Sequence, residues 1–224
     1  MNTLRLLLVH ELTLQRAALR LLLESEVGIK VVAEADTADR LQEQLLAHRP
    51  DLILMVLSQR AGFGSSLIEK LQQQNPKTKI IAISPHDEFS FARLLIAAGA
   101  AGYVSERSPV AELRNALREV AHGHTYIDSS IADRADPAAL GKIKKLEGRQ
   151  KPSGFLSKRE TEVLRMLAQG FTNQQVADAL TLSVKTAETY RVRLTRKLGV
   201  KSRSELFRYA FEVGMVGPDQ LLAR

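Results

Sequence analysis

Short apolar runs and amphipathic stretches alternate through the first 128 residues. The runs are Leu4–Val9, Ile29–Ala33, Leu52–Leu57, Ile80–Ile83 and Gly102–Val104. Each is too short for a helix, and most are unbroken, the pattern of parallel strands covered on both faces. Between them apolar residues recur at helical spacing: Leu14, Ala18, Leu21 and Leu22; then Leu41, Leu45 and Leu46; Leu67, Ile68 and Leu71; Leu94, Leu95 and Ala98. A fifth helix is predicted to open with Pro109 in its first turn, behind Ser108 as cap, and to carry Val110, Leu113, Leu117 and Val120. Five such alternations imply a doubly wound α/β sheet with right-handed crossovers. Chemistry in such sheets sits at the carboxyl ends of the strands.

The pattern changes at residues 129–154, which are rich in Ala, Lys, Gly and Pro and read as a linker with at most one short helix. Lys142, Lys144 and Lys145 fit a solvated basic tether better than a binding site. From residue 155 helix signals crowd together. Ser157 with Glu160, Thr172 with Gln175 and Ser202 with Glu205 have capping-box spacing, and Ser183 is a further candidate cap. Gly170 and Gly199 stand where left-handed residues end helices. Helices are predicted at about 158–169, 173–180, 184–198 and 203–213. The first would bury Val163, Leu164 and Leu167, and the second Val176, Ala177 and Leu180. Only Thr181-Leu182-Ser183 separates the second from the third, as in a helix-turn-helix.

The third of these helices has two faces. Ala187, Leu194 and Leu198 form an inner stripe, with Val184 and Tyr190 at its margins. Lys185, Thr189, Val192, Arg193 and Arg196 fall opposite, flanked by Thr186, Glu188 and Lys197. Charge reinforces the contrast between the two parts. Residues 1–130 hold 14 Lys/Arg against 15 Asp/Glu; residues 131–224 hold 18 against 10, a surplus of eight positive charges. A compact basic domain with such a helix suits the major groove of DNA.

Other classes are disfavoured. The chain has no cysteine, hence no disulfide or thiolate metal site. The Leu6–Val9 run is too short for a secretory signal, and no apolar run reaches membrane-spanning length, so a cytoplasmic protein is expected. An enzyme is not expected: Gly62-Phe63-Gly64 lacks the rest of a phosphate-binding loop, and no Ser-His-acid or zinc-ligand spacing stands out. His122 and His124 suit a helix C-terminus better than a metal.

Specific segments carry a family likeness. Leu6-Leu-Leu-Val-His-Glu11, Pro50-Asp-Leu-Ile-Leu-Met-Val-Leu57, Ile80-Ile-Ala-Ile-Ser84 and Gly99-Ala-Ala-Gly-Tyr-Val-Ser-Glu106 resemble a response-regulator receiver domain of the NarL/FixJ type, over residues 3–128. The resemblance implies a flavodoxin-like fold. It places the family's two acidic metal-site residues on His10 and Glu11, its phosphoacceptor aspartate on Val56, its hydroxyl and aromatic switch residues on Ser84 and Tyr103, and its lysine on Glu106. Only Glu11, Ser84 and Tyr103 keep the expected chemistry.

The departures all oppose phosphoryl transfer. Valine offers no nucleophilic oxygen, neutral imidazole is a poor ligand for a hard cation, and Glu106 brings negative charge where a phosphate needs positive. Asp51 lies about 16 Å from Val56, at the far end of the same strand. Asp87 is the only remote substitute. Glu106 and His10 either pair across the emptied pocket or are solvated independently. The expectation is a pseudo-receiver at 1–128, controlled without aspartyl phosphorylation and without a cofactor.

Leu156–Leu164, Gly170–Ala177, Leu182–Tyr190 and Arg196–Val200 in turn resemble the LuxR/NarL-type DNA-binding domain, at 155–224. That resemblance implies that Ser183 through Lys197 enters the major groove. It also implies that the last helix dimerises, with Leu206, Ala210, Phe211 and Met215 shared between core and contact. Pro109–His122 is a second candidate dimer surface on the same grounds. Lys185, Thr186, Arg193, Arg196 and Lys197 are expected on phosphates, and Thr189 and Val192 on thymine methyls. Glu188 either accepts from a cytosine amino group or pairs within the helix. The expected partners are double-stranded promoter DNA, a second copy in a homodimer, and RNA polymerase or a regulatory protein, with no membrane.

Overall fold

The computed structural model describes residues 3–57, 64–134, 156–198, 200 and 202–212. The chain divides into two compact units, Met1–Pro152 and Ser153–Arg224. Among the described residues no helix is long and apolar enough to cross a membrane.

The first unit is a parallel sheet of β1 (Leu4–Val9), β2 (Ile29–Ala35), β3 (Leu52–Val56), β4 (Lys79–Ser84), β5 (Gly102–Ser105) and β6 (Tyr126–Ile127), in the order β2-β1-β3-β4-β5-β6. Its helices are α1 (Thr13–Glu24), α2 (Ala38–His48), α3 (Ser65–Gln74), α4 (Phe89–Ala97), α5 (Val110–Ala121) and α6 (Ser129–Ala132). The unbroken apolar strands are explained by burial on both faces: Leu6 to Val9 and Leu52 to Met55 are at most 1% exposed. Side chains alternate across a strand. Leu6, Leu8, Leu54 and Val56 join Leu23 of α1 and Leu113, Leu117 and Val120 of α5 in one core cluster. Gly102 has no room for a side chain, because a Cβ there would lie 2.9 Å from Ile81.

Three expectations change. The sheet has a sixth strand, too short to register as an apolar run. The helix α6 is a short helix of the kind allowed for in the stretch read as linker, and its Ile131 is fully buried. Pro109, not Ser108, caps α5, and no side chain caps that helix. The apolar stripe of α1 is also not the buried one. Leu14 and Leu21 are 82% and 73% exposed, whereas Leu23 is buried and Leu19 and Leu22 pack on the core.

The second unit contains α7 (Lys158–Ala168), α8 (Asn173–Leu180), α9 (Val184–Leu198) and α10 (Arg203–Glu212). Reciprocal capping boxes open α7 at Ser157/Glu160 and α8 at Thr172/Gln175. Ser183 accepts the Thr186 amide at 3.1 Å, and Ser202 that of Glu205. Gly170 is left-handed beyond α7, as its position demanded, while Gly199 and the linker lysines lie outside the described residues. Thr181, also left-handed, turns the chain between α8 and α9. Val163, Leu164, Val176, Ala177, Ala187, Leu194, Leu198, Leu206 and Ala210 fill the core.

Candidate functional site

The first cluster gathers at the carboxyl ends of β1, β3, β4 and β5. His10, 4% exposed, ends β1. Its Nδ1 accepts the Leu12 amide at 3.3 Å, and Nε2 lies 2.6 Å from Gln15 Oε1. A backbone N–H can only donate, so Nδ1 accepts from Leu12 and Nε2 faces Gln15, and both nitrogens are used. Glu11 beside it is half-buried. Val56, 3% exposed, pairs in register with Ile83 and belongs to the apolar cluster. A divalent cation does not fit this set, because His10 is fully bonded, Val56 has no oxygen, and Glu11 is left as the lone hard ligand.

Three links join the loops after β4 and β5. The Glu106 amide donates to the Ser84 carbonyl at 2.8 Å. The fully buried Tyr103 donates its hydroxyl to the His86 carbonyl, and burial pushes its phenol well above the ordinary range. Arg107 Nη1 lies 3.1 Å from both oxygens of Asp87, which occupies the carboxylate that sequence had left as a substitute acceptor. Asp51 is at the opposite end of β3, where it accepts the Arg5 amide at 2.9 Å.

Glu106 does not bond to His10, so of the two alternatives the pair is not the one formed. Burial raises the Glu106 carboxyl above its ordinary value, and the weaker pull of His10, His86 and Arg107 does not reverse this. The reason is geometric: Gln15 and Leu12 already take both His10 nitrogens.

Below this cluster the chain after α5 is stitched down by residues that sequence reading missed. Asp128, fully buried, accepts the Ser105 amide at 3.2 Å, the Ser130 amide at 3.0 Å and the Ser130 hydroxyl at 2.7 Å. Glu112 accepts the Tyr126 hydroxyl at 2.6 Å and the Ser129 amide at 3.1 Å. The Asp128-Ser-Ser130 cap was the one local signal for this.

The second cluster is the outer face of α9. Lys185, Glu188, Thr189, Val192, Arg193 and Arg196 are exposed, Val192 at 58%, and Thr186 is half-buried. Among the described residues Lys185, Arg193 and Arg196 form no ion pair, and Glu188 does not pair with Arg191. Ser183, Lys185, Thr186, Thr189, Tyr190 and Arg193 line a cleft of about 230 Å³. The Thr189 hydroxyl donates to the Lys185 carbonyl, which leaves its methyl as the contact it offers.

Lys197 does not join this face. Its Nζ lies 2.6 and 2.7 Å from the two carboxylate oxygens of Glu160, whose side chain is 6% exposed. Leu206 and Ala210, expected to serve a dimer contact, are 2% and 0% exposed within their own domain. The Phe211 side chain and Met215 lie outside the described residues.

Comparison with known proteins identifies both domains. Residues 6–118 match the response regulator receiver domain, and residues 155–210 the bacterial regulatory proteins of the luxR family. The oxygen regulatory protein NreC of Staphylococcus epidermidis is 30% identical over 200 residues, covering 88% of this chain and 92% of that protein. RcsB of Salmonella enterica serovar Typhimurium bound to promoter P1flhDC has a TM-score of 0.67 at 23% identity, over 95% of this chain and 100% of that one. A LuxR-family two-component response regulator from Aurantimonas sp. has a TM-score of 0.57 at 28% identity, over 63% of this chain and 99% of that one.

Proposed function

The chain belongs to the LuxR-family response regulators, DNA-binding proteins with a receiver domain and a helix-turn-helix, and from that premise we propose that it regulates promoters without aspartyl phosphorylation. The observation that carries this reading is Val56, an apolar core residue where the family's phosphoacceptor stands. No bond can form between phosphorus and a hydrocarbon side chain, and the surrounding His10, Glu106 and Asp87 supply neither a metal seat nor a cation for a phosphate. The inputs that remain act by contact, through a protein partner, a small ligand or abundance.

On DNA, α9 enters the major groove. Lys185, Thr186, Arg193 and Arg196 hold phosphates; Thr189 and Val192 meet thymine methyls, and Glu188, unpaired within its helix, accepts from a cytosine amino group. Lys197 is left out of this set, because Glu160 holds it. The protein acts as a homodimer, as described for RcsB in its complex of two dimers on two parallel DNAs. RNA polymerase or a regulatory protein is the partner that reads the bound dimer, and the cytoplasm is where such a regulator works.

The test is treatment of the full chain with acetyl phosphate and, separately, with beryllofluoride. The expected result is no hydroxylamine-labile phosphate and unchanged oligomeric state and DNA affinity. An acyl phosphate that disappears on replacing Asp87 or Glu11 would overturn the reading.

A further inference from the structure

The amino ends of the strands carry a row of cations. Arg5 on β1 pairs in register with Lys30 on β2, Lys79 opens β4, and Arg49 and Lys77 stand in the loops that lead into β3 and β4. All five are exposed. Backbone bonds hold these segments side by side: the Asp51 amide donates to the Arg5 carbonyl, and the Lys79 amide to the Asp51 carbonyl, each at 2.9 Å. The row therefore follows the strand order β2-β1-β3-β4. At about 4.8 Å per strand it spans about 15 Å.

Its charge is uncompensated. Asp51 is the one carboxylate within the row, and its Oδ2 accepts the Arg5 amide. Among the described residues none of the five cations forms an ion pair, and Glu24 and Glu26, just before β2, are held by Arg20 and Arg114. Residues 1–130 hold 14 Lys/Arg against 15 Asp/Glu, so this concentration of one sign is local. Helix ends do not account for it. Arg49 and Lys77 follow α2 and α3, where a cation meets the helix dipole. Arg5, Lys30 and Lys79 stand on strands, which carry little net dipole.

We propose that this row is a second DNA-binding surface, one that holds the phosphate backbone of duplex DNA without reading its sequence. It lies at the opposite end of the sheet from Val56. A duplex presents one phosphate per about 1.7 Å of its axis, so a row about 15 Å long meets several. Arg5 spends one guanidinium donor on the His48 carbonyl at 2.6 Å, which fixes the group and leaves its other donors for phosphate. Protein partners are typically anchored by aromatic side chains in desolvated pockets. Between these cations stand Pro50, Asp51, Pro76 and Thr78, and no aromatic residue. Contact of this kind adds affinity and salt dependence on any duplex and leaves base preference to α9.

The test combines Lys30→Gln, Lys77→Gln and Lys79→Gln in the full chain, with Lys70→Gln on α3 as control. The probe is a duplex of arbitrary sequence several helical turns long, titrated at several salt concentrations. The triple variant is expected to lose affinity at least tenfold at low salt, and its salt slope to fall by about 0.9 for each phosphate no longer held. K70Q is expected to match wild type, and all thermal melts to coincide, because these lysines are exposed. The chain has no cysteine, so Lys77→Cys and Ser66→Cys each take a single photo-crosslinking label. K77C is expected to capture the duplex and S66C, on the exposed surface of α3, to leave it free. A triple variant with the wild-type slope, or a K77C label that captures no more DNA than S66C, would overturn the proposal; a row that serves an acidic protein gives that result. Should Arg193→Ala lower the slope while the triple variant does not, DNA binding through α9 stands and the row has no part in it.

Discussion

Lys197, at the C-terminal end of α9, places its ammonium 2.6 and 2.7 Å from the two carboxylate oxygens of Glu160, at the start of a helix 37 residues earlier. Glu160 also accepts the Ser157 amide at 2.8 Å, so one carboxylate closes the N-terminal cap of α7 and anchors the C-terminal end of α9. Burial tends to raise this carboxyl, but Lys197 and Ser157 together outweigh it and hold the carboxyl below its ordinary value. An acid held low in the folded state adds stability that is present above the ordinary carboxyl range and is lost as pH falls through its folded value.

Lys197→Met is therefore expected to lower the melting transition of the second domain at neutral pH. The cost is about 3 kcal/mol, the low end for a broken buried pair, because one partner is partly solvated. The difference from wild type should shrink as the medium is acidified through and below the ordinary carboxyl range. Calorimetry of the full chain across pH measures this. The salt slope of DNA binding should not change, whereas a phosphate clamp at this position would flatten it.

Arg193 and Val192 are neighbours on α9 with opposite expected signatures. Arg193→Ala should weaken binding to every duplex alike and reduce the salt slope by about 0.9, the share of one phosphate. Val192→Ala should leave the slope intact and lose about 1 kcal/mol at operators with a thymine under that side chain. Titrations at several salt concentrations on matched and substituted duplexes separate the two.

Glu106 lies with its carboxyl raised by burial, against the opposing pull of His10, His86 and Arg107. A raised acid stabilises the fold at low pH and loses that contribution as pH rises through its folded value. Glu106→Gln should consequently gain melting temperature relative to wild type as pH climbs through and above the ordinary carboxyl range, since glutamine removes the charge that is unfavourable there. Thermal melts at half-unit pH steps would show the opposite trend if a Glu106–His10 ion pair held the pocket together.

Asp128 is fully buried among three donors from Ser105 and Ser130. Asp128→Ala leaves the buried Ser105 amide unmet, at about 1–3 kcal/mol. The expected outcome is faster hydrogen exchange over residues 129–134 and at the Ser105 amide, read by mass spectrometry, with β1 and β3 protected as before.

Much of this molecule was legible before any coordinates. Unbroken runs such as Leu52–Val56 imply burial on both faces, and capping pairs such as Thr172/Gln175 are local chemistry that fixes where helices begin. The valine at position 56 was also readable, and it carries no nucleophilic oxygen wherever it packs. Strand β6 was missed, since two residues are too few for periodicity to register.

Sequence alone determined the parallel sheet, the helix-turn-helix, the basic face of α9 and the valine at position 56, because each depends on residue type and on spacing along the chain. Tertiary structure decided which of two apolar stripes on α1 meets the core, that Lys197 turns to Glu160, and that His10 serves Gln15 and Leu12. Those outcomes depend on partners brought together across the fold, and a side chain's nearest charge or nearest void is a property of the packed chain.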